Sequence, residues 1–136
     1  MPTTAPYRVV MAVVVGVAAL SGCSGHGNPE TDAAGAAAVR FSSLAQTDAT
    51  TACRLLAPQT ASELEKDSGS CDRGLADADP PAGGGLRDVE VYGLDAIARL
   101  DDDTVFLARF DQGWRVTAAG CTAQPDGPYD CDIKGG

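Results

Sequence analysis

Halfway along this chain of 136 residues the spacing of apolar side chains changes, and that change limits the folds open to it. Up to residue 78 they return every three or four positions, the period of a helix with one buried face. After residue 86 they return every second position, the period of a strand. In the first half, Ala34, Ala37, Ala38, Phe41, Leu44 and Ala45 share one face of a helix expected over 32–46, with Thr31 or Asp32 able to cap it. Asp48 can cap a second helix running to residue 56, where Ala52, Leu55 and Leu56 face inward with Cys53 alongside. Pro58 ends it, because the residue before a proline is pushed out of the helical region. Thr60-Ala61-Ser62-Glu63 is a capping-box pattern that restarts a short helix carrying Leu64, and 71–76 adds one more turn.

The second half reads as strands at 87–92, 96–100, 104–110 and 114–120, with an edge strand at 129–134. Asp101-Asp102-Asp103 is a turn, and Asp111-Gln112-Gly113 fits a three-residue hairpin loop with glycine at the left-handed position. That loop sets Phe110 opposite Trp114, Ala108 opposite Val116 and Phe106 opposite Ala118. These six would then face the helices, leaving Arg109, Arg115 and Thr117 outside with Val105 and Leu107 as exceptions. The segment 78–85 (ADPPAGGG) joins the halves, and neither half has the apolar mass to stand alone. Helices followed by strands imply an α+β fold over 32–136, with N-terminal helices packed on a C-terminal antiparallel sheet of four to five strands.

The N-terminus obeys different rules. Arg8 is the only charge in the first 22 residues, and 9–20 is an unbroken apolar run. Twelve residues of helix reach about 18 Å, short of the roughly 30 Å hydrocarbon core. Leu20-Ser21-Gly22-Cys23 follows, and this segment resembles the lipobox signal of bacterial lipoproteins. The resemblance implies cleavage between Gly22 and Cys23, with a diacylglyceryl group on the Cys23 sulfur. Two acyl chains hold a protein at a bilayer where one does not. The expected arrangement is a signal peptide at 1–22, a lipidated cysteine and flexible tether at 23–31, and one domain at 32–136. The expected location is the extracytoplasmic face of the cell membrane, with the membrane itself a partner through that lipid.

Removing Arg8 with the signal takes the net charge from −9 to −10. Such a surface repels phosphates, so nucleic acid is not an expected partner, and anionic headgroups give no help to attachment. The remaining cysteines, Cys53, Cys71, Cys121 and Cys131, are even in number in an oxidising compartment and read as two disulfides. Three pairings are open. Cys53–Cys71 and Cys121–Cys131 are preferred because each closes a short loop within one half of the domain. With no C-x-x-C pair, and with the only histidine, His26, in the tether, neither a metal site nor a cofactor is expected.

Helices first, then a sheet containing Phe-Leu-Ala-Arg-Phe-Asp-Gln-Gly-Trp-Arg-Val-Thr (106–117), resemble the nuclear-transport-factor-two-like (cystatin-like) fold of small lipoproteins from high-GC Gram-positive bacteria. The resemblance spans about 33–134 and implies a cone between sheet and helices. Some members of that superfamily, such as ketosteroid isomerase, hold an acid or base inside the cone, and many others only bind. No catalytic motif of those enzymes maps onto residues of this chain.

Without a histidine in the domain, a base would have to be a carboxylate with a raised pKa. Asp88, Glu90 and Asp95 lie near the sheet, but exposed strand and turn positions are the better reading of all three. Asp101-Asp102-Asp103 lacks calcium-loop spacing and reads as a solvated turn. Glu63 and Asp67 share an exposed helical face. Ser42-Ser43 and Thr50-Thr51 lack the partners of a nucleophile. Trp114 reads as a core residue, and Arg99, Arg109 and Arg115 as outer-face arginines able to meet an acidic partner. The expected function is therefore a non-catalytic binding or accessory module, its partner an envelope protein or small ligand; the alternatives are an enzyme using the cavity of a cystatin-like fold with a carboxylate base, and a passive structural lipoprotein of the cell envelope.

Overall fold

A computed structural model describes Pro2 and residues 28–135; the expected signal segment, its cleavage site and Cys23 lie outside the described residues. Four helices come first: α1 (Pro29–Thr47), α2 (Ala49–Cys53), α3 (Pro58–Ser68) and α4 (Cys71–Ala78). Five strands follow: β1 (Leu86–Tyr92), β2 (Asp95–Leu100), β3 (Thr104–Phe110), β4 (Gly113–Gln124) and β5 (Gly127–Lys134). The strands form one antiparallel sheet in chain order, β1-β2-β3-β4-β5, with the helices packed on one face. The fold is α+β.

Two helices start earlier than expected, for the same reason. Asn28 caps α1 by accepting the Glu30 N–H at 3.0 Å, and Pro29 fills the first helical position, where its missing N–H is no loss. Residues 29–31, expected to be flexible, are thus part of α1. Pro58 likewise opens α3 and does not close its predecessor, because α2 already ends at Cys53 instead of residue 56. Thr60 is therefore inside that helix and does not cap it. It is buried, and its hydroxyl donates to the Thr117 carbonyl at 3.0 Å. Asp48 caps α2 as expected, and Ser70 caps α4.

The disulfides join Cys53 to Cys71 and Cys121 to Cys131, with Cα–Cα distances of 6.1 Å and 4.0 Å. The first ties α2 to α4; the second joins directly opposed positions of β4 and β5. Segment 79–85 is packed, not loose. Gly83 donates to the buried Ser42 hydroxyl at 2.6 Å, and the carbonyls of Gly83 and Gly85 accept the N–H groups of Asp102 and Asp101.

The register of the β3–β4 hairpin corrects the expectation. Gly113, at φ 111°, pairs with Phe110, so the turn has two residues, Asp111 and Gln112, and the strands are shifted by one. Arg109 lies opposite Trp114 and Leu107 opposite Val116. A one-residue slip exchanges the faces of a strand relative to its partner. Val105 and Leu107, the expected exceptions, are therefore the core residues of β3, each at most 1% exposed. Phe106 and Phe110 point to the other face. A bulge at Thr117 then restores the pairing of Phe106 with Ala118.

The core lies between α1, α2, α4 and the inner sheet face. Phe41, Leu75, Val105, Leu107, Val116 and Ile133 are essentially fully buried there, with Ala34, Ala38, Ala96 and Ala98 between them. Trp114 belongs to this cluster, as expected. The small helix residues matter, because they let α1 approach the sheet closely. A Cβ on Gly35 would meet Leu86 Cδ2 at 2.7 Å. The space that a cone-shaped fold would leave open is taken by side chains.

Candidate binding groove

With the inner face filled, the open space lies outside. The residues that the register turned outward, Phe106 and Phe110 on β3 and Ala118 on β4, form the floor of a groove of about 510 Å³. Its wall is the start of α3, Ala57 to Thr60, and one end is closed by Lys134 and Gly135. A smaller hollow of about 320 Å³ continues past Pro58 and Phe110 towards Leu56 and Arg115.

The wall is held by backbone pairing on the free edge of β4. Val116 donates to Leu55 at 2.9 Å and Ala57 donates to Val116 at 2.7 Å, a short parallel bridge beside β4. The Thr117 carbonyl, released by the bulge, accepts from the Thr60 hydroxyl and from the Gly135 N–H at 3.1 Å. These bonds hold Pro58 in the wall of the groove, across from the floor formed by the two phenyl rings. Phe106 is held in turn by Tyr129, whose ring meets it edge-on with centroids 5.1 Å apart.

The groove is mostly apolar, and Lys134 is the only ionisable side chain lining it. Among the described residues Lys134 makes no ion pair, whereas Arg87, Arg99 and Arg109 are each paired with acids. A binding site of this size and lining fits an apolar group with an anionic end.

The titratable groups elsewhere have structural duties. Asp103 is the one buried carboxylate among the described residues, which corrects its reading as part of a solvated turn. It accepts the N–H groups of Gly120 at 3.1 Å and Cys121 at 3.0 Å, clamping the β2–β3 turn to β4. Burial pushes its pKa above the usual carboxylate range, opposed by those hydrogen bonds. Glu30 accepts from Arg109 and from the Trp114 indole at 3.1 Å, and the arginine bond holds its pKa low. Glu90 is held low first by the Tyr92 hydroxyl and then by Arg99.

The three arginines do not gather on one face. Arg99 is outside, bound to Asp88 and Glu90. Arg115 bonds the Arg54 carbonyl and Gln112. Arg109 sits on the helix side, over Trp114 and against Glu30, because the register shift reversed β3. Asp88 and Asp95 are exposed, Glu63 pairs with Lys66, and Ser42 is buried as an acceptor for Gly83. The groove escaped sequence reading because its residues were assigned to the core. Asp111-Gln112 lacks the glycine that marks a two-residue turn, so the local sequence did not signal this register.

Among the described residues no helix is long and apolar enough to cross a membrane, and no cluster of histidine, cysteine or acidic side chains could hold a metal ion. No protein family, curated protein or solved structure matches this chain, so the groove has to be interpreted from its own chemistry.

Proposed function

We propose that this chain is an extracytoplasmic lipoprotein, held to the cell membrane by diacylglyceryl-modified Cys23, whose domain binds an amphipathic anionic ligand without catalysing a reaction. Leu20-Ser21-Gly22-Cys23 after an apolar run supports the anchor. The groove supports the binding role, and it is the observation that carries the reading: two phenyl rings and a proline line an apolar slot ending at the Lys134 ammonium, which makes no ion pair among the described residues. The ligand's apolar part lies on Phe106 and Phe110, with its carboxylate or phosphate towards Lys134. The groove lacks a carboxylate, thiol or imidazole to move a proton. The buried Asp103 is occupied by backbone N–H groups and lines no part of it.

Two measurements test this. Intact mass spectrometry of the membrane-extracted protein should give residues 23–136 plus diacylglyceryl; an unmodified Cys23 overturns the anchor. Dodecanoate added below its micellar concentration should shift the amide resonances of Phe106, Phe110 and Lys134, and Lys134→Ala should weaken that response. Shifts confined to other regions overturn the assignment of the groove.

A further inference from the structure

One end of the sheet carries most of the exposed large apolar side chains. Among the described residues the four such side chains are Leu94, Tyr92, Leu86 and Phe110, at 69%, 58%, 45% and 40% exposed. Three of them lie together. Tyr92 and Leu94 flank Gly93 in the β1–β2 turn, and Phe110 borders the β3–β4 turn. The two turns are neighbours, because Arg109 donates its N–H to the Leu94 carbonyl at 2.7 Å, and Leu94 and Phe110 line one shallow hollow. Leu86 is at the far end of β1, opposite Leu100.

The chain enters the domain at this same end. Glu30, in the first turn of α1, is bound to Arg109 and Trp114, which face each other next to the β3–β4 turn. From Cys23 to Asn28 there are five residue steps, which span at most about 18 Å when fully extended. The twelve residues of β4 reach about 40 Å from that turn. The far end carries Asp101 and Asp102 in one turn and Asp126 in another, all exposed, and of these Asp101 is paired with Arg87. At the near end Glu30, Asp95 and Asp111 stand against Arg109 and Arg115, so the acids exceed the arginines there by one.

We propose that Tyr92, Leu94 and Phe110 dock into the interface of the bilayer that holds Cys23, setting the domain turn-end down with its acidic end away from the membrane. This rests on the lipid anchor proposed above. Tyrosine suits the headgroup level, where an apolar ring and a polar hydroxyl are both satisfied, while leucine and phenylalanine reach the acyl boundary. Phe110 also floors the groove, so one end of the groove opens at the headgroups.

The test uses the mature lipidated protein in phosphatidylcholine vesicles containing a lipid spin-labelled near the headgroup. Trp114, the chain's single tryptophan, lies beside the docking end and reports quenching. The expected result is that the protein floats with the vesicles, Trp114 is quenched, and a Tyr92→Ser/Leu94→Ser/Phe110→Ser variant floats equally but loses the quenching. Leu86→Ser, a substitution of the exposed apolar residue at the other end, should leave quenching unchanged. Flotation with quenching that is absent, or unaltered in the triple variant, overturns the docking alone. Failure of the wild-type protein to float overturns the anchor and the docking with it.

Discussion

The two faces of the sheet are built from similar residues and have opposite fates. The inner face offers Ala96, Ala98, Val105, Leu107 and Val116, the outer face Ile97, Phe106, Ala108, Phe110 and Ala118. Helices cover the first, and only the start of α3 borders the second. Alanine and glycine on α1 bring it so close that the interior holds no large aromatic ring except Phe41 and Trp114. The other two phenylalanines are left outside, where they line a groove. In a domain poor in aromatics, core packing and a ligand site compete for the same few rings, and the register of one hairpin allots them.

Truncation of single residues tests that contrast most directly. Phe41→Ala should lose about 3–5 kcal/mol of stability, since it empties a fully buried site, whereas Phe106→Ala should lose about 1 kcal/mol and weaken dodecanoate binding. Urea denaturation of both variants measures this, and equal losses would mean that Phe106 is core.

The disulfides set the helix layer against the sheet. Replacing both cysteines of either bridge by serine should cost about 3 kcal/mol, with the Cys53–Cys71 pair the larger by about 0.5 kcal/mol, because it closes 18 residues against 10. Thermal unfolding of the two double variants ranks them.

Asp103→Ala should cost about 2–3 kcal/mol, because two backbone N–H groups lose their acceptor inside the fold. Its signature is local: amide exchange at Gly120 and Cys121 should quicken before the rest of the sheet.

The smallest effect is a pair of opposed pH dependences. Asp103 has a folded pKa raised by burial, so its ionisation weakens the fold as pH rises from the ordinary carboxylate range through that raised value. Glu30 has a folded pKa lowered by Arg109, so its contribution is present above the ordinary carboxylate range and is lost as pH falls through the lowered value. Carboxyl carbon NMR titration should place the Asp103 midpoint above the ordinary aspartate value and that of Glu30 below the ordinary glutamate value.

Local chemistry made much of this protein legible. Helical period and caps located all four helices, although Asn28-Pro29 and Ala57-Pro58 opened α1 and α3 ahead of the expected points. Alternation located all five strands. The short loops between cysteines led to both disulfides. The candidate site was not legible, because its floor residues, Phe106, Phe110 and Ala118, could equally belong to a core. One residue in the Asp111-Gln112 turn separated the two outcomes, and period-two patterning is blind to which face a helix will cover.

By itself, then, the order of residues determined the α+β class and the element sequence, since each follows from neighbours a few positions apart, and it left three cysteine pairings open with one preferred. Tertiary structure alone decided that Val105 and Leu107 go inward while Phe106 and Phe110 go outward, that Asp103 is buried, and that Arg109 leaves the other arginines to meet Glu30. Those outcomes depend on strand register and on how closely α1 can approach the sheet. Both are settled only when distant segments share one volume.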